Sequence, residues 1–354
     1  MHSFDLVSNK LVWLRKNEEQ IVGESRSLIK MPLITLYINN IEETSIDVRW
    51  VRLLKECEKN LLKKFQDKVV HSYLKELYEV EIGTLVFSKN SSLAFFHSEE
   101  FTGFVEFPKT IYDNYFISKS FHLKPIFTWL QKEFDFYLLS LSKKQIKLFK
   151  GSVLGLELEK EWENQDHDNT SKSIENWENF FRKTENELDK IFSKNRTPVI
   201  LAGLKEQVAF YKKINRDKDL VMMSIPGSIN GKTTVELKAE AIKILNDIFE
   251  MNKKNIIQNY HDKSAIQMAT DEITLVTQNA IKGKIKVLAI AEDRNLWGRI
   301  NMFEGKVNLS REGASQFNDD LLDDLAEVVL SRGGRVLSLK QIEMPTKSPL
   351  FAIL

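Results

Sequence analysis

The stretch Gly227-Ser-Ile-Asn-Gly231-Lys232-Thr233 combines residue types that could bind a nucleotide phosphate. Glycines allow close approach to a phosphate, the lysine supplies charge, and a helix start supplies amides. A phosphate-binding loop needs four residues between the first glycine and Gly-Lys, whereas this stretch has three and is preceded by Pro226. We therefore expect Thr233 or Thr234 to cap the next helix, and a P-loop-like NTPase is kept as an alternative function.

Four lysines, Lys143, Lys144, Lys147 and Lys150, surround one short turn between two predicted strands. Several lysines close together can hold the phosphates of RNA, and residues 116–255 carry 24 Lys and Arg against 20 Asp and Glu. A lysine-rich turn can equally serve to protect a sheet edge from unwanted pairing. Both interpretations stay open at this point.

Other groupings of chemically active residues are explained by structure. The six histidines are scattered singly, so no zinc site is expected, and the lone Cys57 falls on the apolar face of a helix. Asp319, Asp320, Asp323 and Asp324 occupy the first turns of an amphipathic helix, where carboxylates are favourable, and we expect a solvated helix start. The sequence predicts neither a metal nor another cofactor.

The composition is that of a globular protein. The chain has 354 residues, which is long enough for two or three domains. Its 51 Lys and Arg are balanced by 50 Asp and Glu, which excludes a polycation. No apolar stretch is long enough to span a membrane, and charges near the N-terminus do not fit a signal peptide. One cysteine suits a reducing compartment, so a cytoplasmic location is expected.

Residues 1–115 alternate between strand and helix patterns. Leu33–Ile38 reads as a buried strand, and residues 48–65 as a helix with apolar residues at helical spacing. Thr84–Phe87 and Leu93–His97 read as a hairpin, and Val105–Phe107 as a further strand.

A second block begins near Phe121 with a short amphipathic helix at 126–130. Three strands follow, at 136–141, 145–149 and 153–158, and then helices at 174–192 and 235–249 around strands near 199–202 and 223. This order predicts a mixed sheet with helices on its faces.

The polar stretch Asn252–Lys263 is the predicted linker to a last domain. Beyond it we predict helices at 269–280 and 321–330 with strands at 285–291 and 336–339, which fits a small α/β/α domain.

Seven strings in this order resemble one protein superfamily. They are PLITLYIN (32–39), GTLVF (83–87), FHLKPIFTWL (121–130), FYLLSLSKKQIKLFKG (136–151), PVILAGL (198–204), DDLLDDLAEVVLSRGGRV (319–336) and the ending MP...FAIL (344–354). The chain is similar to the archaeal and eukaryotic class I peptide-chain release factors, a Pelota-like superfamily, and more closely to their bacterial branch. The resemblance covers nearly the whole chain, although each string is hydrophobic scaffold.

The resemblance implies three domains. These are an N-terminal α/β domain (1–115) that in release factors faces the decoding site, a ribonuclease H-like middle domain (116–255), and an α/β/α C-terminal domain resembling ribosomal protein L7Ae (256–354). In true release factors the loop after the middle meander carries Gly-Gly-Gln. Here residues 163–173 contain no glycine, and Asn164, Gln165 and His167 stand in its place. The stop-codon signature Asn-Ile-Lys-Ser is also absent.

The resemblance therefore implies a translation factor that binds the tRNA site of the ribosome without hydrolysing peptidyl-tRNA, in rescue, stalling or dormancy. It implies the ribosome and ribosomal RNA as partners, with a translational GTPase as an optional one, and neither a membrane nor DNA. The lysines at 143, 144, 147 and 150 are its predicted RNA contacts. A protein-interaction module unconnected with the ribosome is a further alternative.

Overall fold

The computed structural model describes residues 31–41, 44–85, 90–107, 109–130, 136–152, 155–165, 173–192, 197–215, 221–227, 231–310 and 319–354. The chain divides into two compact units, the first ending at Phe121 and the second starting at His122, with residues 107–109 belonging to the second. The division into three domains at 115 and 255 stays a prediction.

The first unit is a four-stranded sheet covered by two helices on one face. Its strands β1 (Leu33–Asn39), β2 (Ser92–His97), β3 (Thr102–Phe107) and β4 (Asn114–Ser118) lie in the order β3-β2-β1-β4. Helices α1 (Ile46–Leu61) and α2 (Asp67–Tyr78) place their apolar residues against alternate residues of β1, such as Ile34 and Leu36. The predicted buried strand and helix are confirmed.

The predicted hairpin strand Thr84–Phe87 is wrong at its start, because Ile82–Thr84 form a 3₁₀ helix; residues 86–89 lie outside the described residues. The Gly83 amide donates to Asp47 Oδ1 at 3.0 Å, which ties this turn to the start of α1. Strand β2 instead lies between β1 and β3.

The second unit begins with α3 (Lys124–Leu130) and continues into a five-stranded mixed sheet. Its strands β5 (Phe136–Leu141), β6 (Gln145–Gly151), β7 (Leu156–Glu163), β8 (Val199–Gly203) and β9 (Val221–Pro226) lie in the order β7-β6-β5-β8-β9. Strand β6 is antiparallel to β5 and β7, while β5, β8 and β9 are parallel. This 3-2-1-4-5 order with strand 2 reversed is the ribonuclease H-like topology predicted for this segment.

Helices cover both faces of this sheet. Helices α4 (Ser173–Phe192) and α5 (Lys205–Ile214) pack on the face that carries Leu139 and Leu201. Helix α6 (Thr234–Ser264) packs on the face that carries Leu138 and Ile200. The third strand of the meander was predicted at 153–158, but β7 begins at Leu156 and extends to Glu163, after a register shift between Leu148 and Phe149 of β6.

The predicted linker Asn252–Lys263 is wrong, because these residues form the second half of the 31-residue helix α6. Two of its side chains are buried against the C-terminal part of the chain. Lys253 Nζ donates to Glu343 Oε1 at 2.6 Å, and the Tyr260 ring lies 4.6 Å from that of Phe351, centroid to centroid. Polar composition here reflects a helix with one solvated face rather than a flexible connection.

The C-terminal part contains a second mixed sheet. Its strands β10 (Ala269–Thr270), β11 (Val287–Ala291), β15 (Arg335–Leu339) and β16 (Leu350–Ile353) lie in the order β10-β16-β11-β15. Strands β12 (Trp297–Asn301), β13 (Lys306–Leu309) and β14 (Asp319–Asp320) form a small separate sheet. Helix α6 packs on one face of the larger sheet, and α7 (Ile273–Ile281) and α8 (Leu321–Ser331) contact its strands as well. The mixed α/β prediction for this part is confirmed.

The helix predicted over 269–280 is wrong at its first residues, because Ala269 and Thr270 pair with Ile353 and Ala352 as a short strand before α7 begins. None of the helices in the described ranges is both long and apolar enough to cross a membrane.

Candidate functional site

The candidate site is the end of the ribonuclease H-like sheet where β5 turns into β6. The turn is closed by Ser142, whose amide donates to the Gln145 carbonyl at 3.0 Å and whose hydroxyl accepts from the Gln145 amide at 3.0 Å. Strands β5 and β8 end side by side here, at Leu141 and Gly203. A Cβ on Gly203 would lie 2.7 Å from the Leu141 carbonyl oxygen, so the close approach of these strand ends requires glycine.

Lys143 and Lys144 stand at the tip of this turn. Lys143 Nζ lies 3.4 Å from Glu206 Oε1 at the start of α5 and 5.4 Å from the centroid of the Trp177 ring on α4. Lys144 is exposed and has no ion pair among the described residues. Of the two tip cations, only Lys144 keeps its charge wholly available to a ligand.

Lys147 and Lys150 point to opposite faces of the sheet. Lys147 lies opposite Ser140, on the α6 face, and its Nζ is 3.6 Å from Glu161 Oε1 on β7. Lys150 lies opposite Tyr137, on the α4 and α5 face. It is six residues from Lys144, which is about 20 Å along a strand. The structure therefore brings together Lys143 and Lys144 but not all four lysines, and their role in RNA binding stays a prediction.

Two of the three residues predicted to stand in place of Gly-Gly-Gln also lie at this tip. The Asn164 amide donates to the Lys144 carbonyl at 2.8 Å, and its side-chain Nδ2 donates to the Lys143 carbonyl at 3.0 Å. Asn164 thus fastens the end of β7 to the β5–β6 turn, and the side chain of Gln165 follows in an exposed turn. His167 lies outside the described residues.

The glycine-bearing loop before α6 caps the helix as predicted. The Thr233 hydroxyl accepts from the Glu236 amide at 3.3 Å, and Glu236 Oε2 accepts from the Thr233 amide at 2.8 Å. Lys232 Nζ donates to both carboxylate oxygens of Glu240, at 2.7 and 2.8 Å. The lysine that a phosphate site would need is therefore paired with a carboxylate of the helix that follows it, which weighs against the NTPase alternative.

The acidic run at the start of α8 was predicted to be solvated, and this prediction is wrong. Asp320 and Asp323 are 4% and 2% exposed. Lys124 Nζ donates to Asp320 Oδ2 at 2.5 Å, to the Arg294 carbonyl at 2.6 Å and to Asn295 Oδ1 at 2.5 Å. The prediction failed because Lys124 comes from a segment almost two hundred residues earlier in the chain, which periodicity within α8 cannot reveal.

A second buried pair lies beside the first. The Leu123 amide donates to Asp323 Oδ2 at 2.8 Å, and His122 Nδ1 lies 3.6 Å from the same oxygen. Burial raises the pKa of Asp323 well above its ordinary value, with the Asp320 carboxylate adding to the shift. Burial likewise lowers the pKa of His122 well below its ordinary value, helped by the Lys124 charge. This cluster fixes the start of α3 to the start of α8 and is a structural contact.

Across the described ranges, no three His, Cys, Asp or Glu side chains lie close enough together to hold a metal ion.

The segment that carries the candidate site matches a known protein family in sequence. Residues 135–284 match the family described as bacterial archaeo-eukaryotic release factor family 3. The chain is release-factor-like over this segment. The release-factor-like segment contains the whole ribonuclease H-like sheet, the tip at Lys143 and Lys144, and helix α6. The resemblance inferred from the sequence is confirmed here by an independent match. No curated protein matches the chain in sequence.

The chain is similar, at low identity, to several solved structures. An archaeal translation termination factor, aRF1, is 16% identical, with 98% of this chain and 97% of that chain covered and a TM-score of 0.28. Dom34 of S. cerevisiae, described as a translation termination-like factor involved in RNA quality control that interacts with Hbs1, is 15% identical, with 75% and 80% covered and a TM-score of 0.41. Archaeoglobus fulgidus Pelota is 13% identical, with 94% and 97% covered and a TM-score of 0.35.

Proposed function

We propose that this chain is a cytoplasmic, ribosome-associated translation factor that occupies the tRNA site without hydrolysing peptidyl-tRNA, in rescue, stalling or dormancy. The observation that carries the proposal is the tip of the release-factor-like segment. It is built on the expected ribonuclease H-like sheet, yet residues 163–173 include no glycine and the chain has no Gly-Gly-Gln.

The local geometry supports the non-hydrolytic part of the proposal. A Gly-Gly pair reaches backbone conformations with positive φ that other residues adopt only at a cost. At this tip Asn164 instead precedes Gln165 and is held by two hydrogen bonds to the carbonyls of Lys143 and Lys144. Gln165 is therefore exposed on a backbone that has no glycine to redirect it.

Two assays with the purified full chain test the proposal. Ribosome co-sedimentation should be saturable, and incubation with ribosomes carrying peptidyl-tRNA should release no peptide. Charge reversal of Lys143 and Lys144 should weaken the co-sedimentation, because these cations stand at the exposed tip. Absence of co-sedimentation at low salt would refute ribosome association, and peptide release above background would refute the non-hydrolytic role. The translational GTPase implied by the resemblance stays a prediction.

A further inference from the structure

Five exposed cations lie in or next to two loops of the C-terminal part of the second unit. Lys282, Lys284 and Lys286 are in the connection from α7 to β11. Arg332 is in the connection from α8 to β15, and Arg335 is the first residue of β15. We call these five residues the C-terminal basic surface. None of them belongs to the candidate site or to the basic hairpin singled out in the sequence.

The fold brings the two loops together because β11 and β15 are parallel neighbours. Val287 pairs with Arg335, and the Arg335 amide donates to the Lys286 carbonyl at 2.9 Å. Gly283 turns the first loop with φ +65°, and a Cβ at Gly283 would lie 3.6 Å from Arg332 Cβ. The stem of Arg332 therefore lies against the Lys282–Lys284 turn, so cations that are about 50 residues apart in sequence form one surface.

These cations lack the carboxylate partners that several lysines of this unit have. Within the described part of the chain, no Asp or Glu oxygen lies within 4.0 Å of any of the five charged groups, and the one polar partner is the Leu354 main-chain oxygen, 3.1 Å from Lys286 Nζ. Lys143, Lys147, Lys232 and Lys253 are all paired with glutamates. The positive field of the C-terminal basic surface is thus not neutralised locally.

Helix ends explain only part of this cluster. Lys282 and Arg332 are the C-cap residues of α7 and α8, where a cation interacts favourably with the helix dipole. Lys284, Lys286 and Arg335 lie beyond the helices, and their charges add repulsion to a surface that already holds two cations. An anionic ligand that bridges both loops would relieve that repulsion, and arginine side chains bind phosphate in a bidentate geometry.

We propose that the C-terminal basic surface binds the sugar-phosphate backbone of RNA. Neither loop contains an aromatic residue on which a base could stack, so the contacts are to phosphates and are independent of sequence. The choice of RNA over other polyanions rests on the proposed function, since the ribosome offers a continuous RNA surface. The surface would then be a second RNA contact, separate from the tip at Lys143 and Lys144.

The test compares two double variants of the full chain that have the same net charge. The test variant is Lys284→Glu with Arg332→Glu, and the control is Lys243→Glu with Lys254→Glu, two exposed lysines of α6. Binding to a short fluorescein-labelled RNA duplex is measured by anisotropy over a range of salt concentrations. The test variant should raise the Kd at least about tenfold and reduce the slope of log K against log salt by about 2, whereas the control should change neither appreciably.

A second test variant, Lys284→Gln with Arg332→Gln, removes the charges without adding acidic ones and should give an intermediate loss. Circular dichroism checks that every variant is folded. Equal RNA affinity of the test and control variants would overturn the inference, as would a loss of binding to phosphatidylserine vesicles but not to RNA.

Ribosome co-sedimentation separates this inference from the proposed function. If the wild type sediments with ribosomes and both double variants sediment equally and bind RNA equally, the inference fails and the proposed function stands. If the wild type does not sediment but binds RNA through Lys284 and Arg332, the proposed function fails and the surface stands. Loss of both activities in the test variant alone supports both.

Discussion

Replacing Lys124 by methionine removes the cation at the centre of the buried cluster between α3 and the start of α8. Lys124 Nζ is the donor to Asp320 Oδ2, to Asn295 Oδ1 and to the Arg294 carbonyl. Its side chain is 4% exposed and that of Asp320 is 0% exposed. Methionine keeps most of the apolar stem but leaves a buried carboxylate without its counter-charge.

The expected cost follows from that burial. Removing one partner of a buried ion pair typically costs about 3–5 kcal/mol, because the remaining charge stays desolvated. Since every 1.4 kcal/mol is a factor of ten, amides protected by this contact should exchange with solvent roughly 10² to 10⁴ times faster. Hydrogen exchange of peptides spanning 122–130 and 319–331 measures this loss of protection locally. Because the chain has two units, a single midpoint of global unfolding would be less informative.

Two further variants control the measurement. Lys243→Met, at an exposed position on α6, should change the opening free energy obtained from hydrogen exchange by no more than about 0.5 kcal/mol. Adding Asp320→Asn to Lys124→Met should recover part of the loss, since the remaining side-chain oxygen can still accept from the Leu296 and Leu322 amides and the lone buried charge is gone. The same exchange pattern in Lys124→Met and Lys243→Met would contradict the predicted cost of leaving Asp320 without its counter-charge.

Three shorter predictions concern the rest of the molecule. Arg49→Met should destabilise the first unit by about 3–5 kcal/mol, because Asp113 is buried 2.8 Å from Arg49; unchanged exchange of β1 amides would contradict this. Burial lowers the pKa of His97 below its ordinary 6.5, so the free energy of unfolding of the first unit should fall by up to about 1.4 kcal/mol per pH unit below that value. Denaturation measured at several pH values should show a smaller pH dependence in His97→Gln. Gly203→Ala should cost about 1–3 kcal/mol in thermal unfolding, since its Cβ meets the Leu141 carbonyl; an unaltered Tm would rule out that clash.

The sign of the His97 effect follows from which state binds the proton. The unfolded chain takes up a proton near 6.5, whereas the folded state resists it, so protons favour unfolding as the pH falls. The facing groups are the Tyr73 carbonyl, 2.8 Å from Nε2, and the Thr102 hydroxyl, 2.6 Å from Nδ1, with Glu76 behind Thr102. The Glu76 carboxylate opposes the shift but does not outweigh burial.

Local pattern was enough to predict the elements that bury a continuous apolar face. Leu33–Ile38 is buried along nearly its whole length, and its alternate residues meet the helical stripe of Trp50 and Leu54, so strand and helix periodicities both point to the same core. The meander around 136–151 was equally clear, because short turns leave little choice of pairing. These are contacts between residues close in sequence.

Contacts between distant residues account for the predictions that failed. Polar composition at 252–263 indicated a linker, but Lys253 and Tyr260 find partners near residues 343 and 351 that no local window contains. The same holds for Asp320, whose burial depends on Lys124. Composition reports how polar a segment is, whereas burial depends on which other segment covers it.

Charges that are close in sequence and charges that the fold brings together form different clusters in this chain. Lys143, Lys144, Lys147 and Lys150 are neighbours in sequence, yet strand alternation and glutamates from β7 and α5 disperse or pair most of them. The five cations of the C-terminal basic surface are split between 282–286 and 332–335, and parallel pairing of β11 with β15 joins them beyond the reach of any carboxylate in the described residues. Because a polyanion responds to the net field at a surface, the cluster assembled by the fold should contribute more to RNA binding than the cluster visible in the sequence.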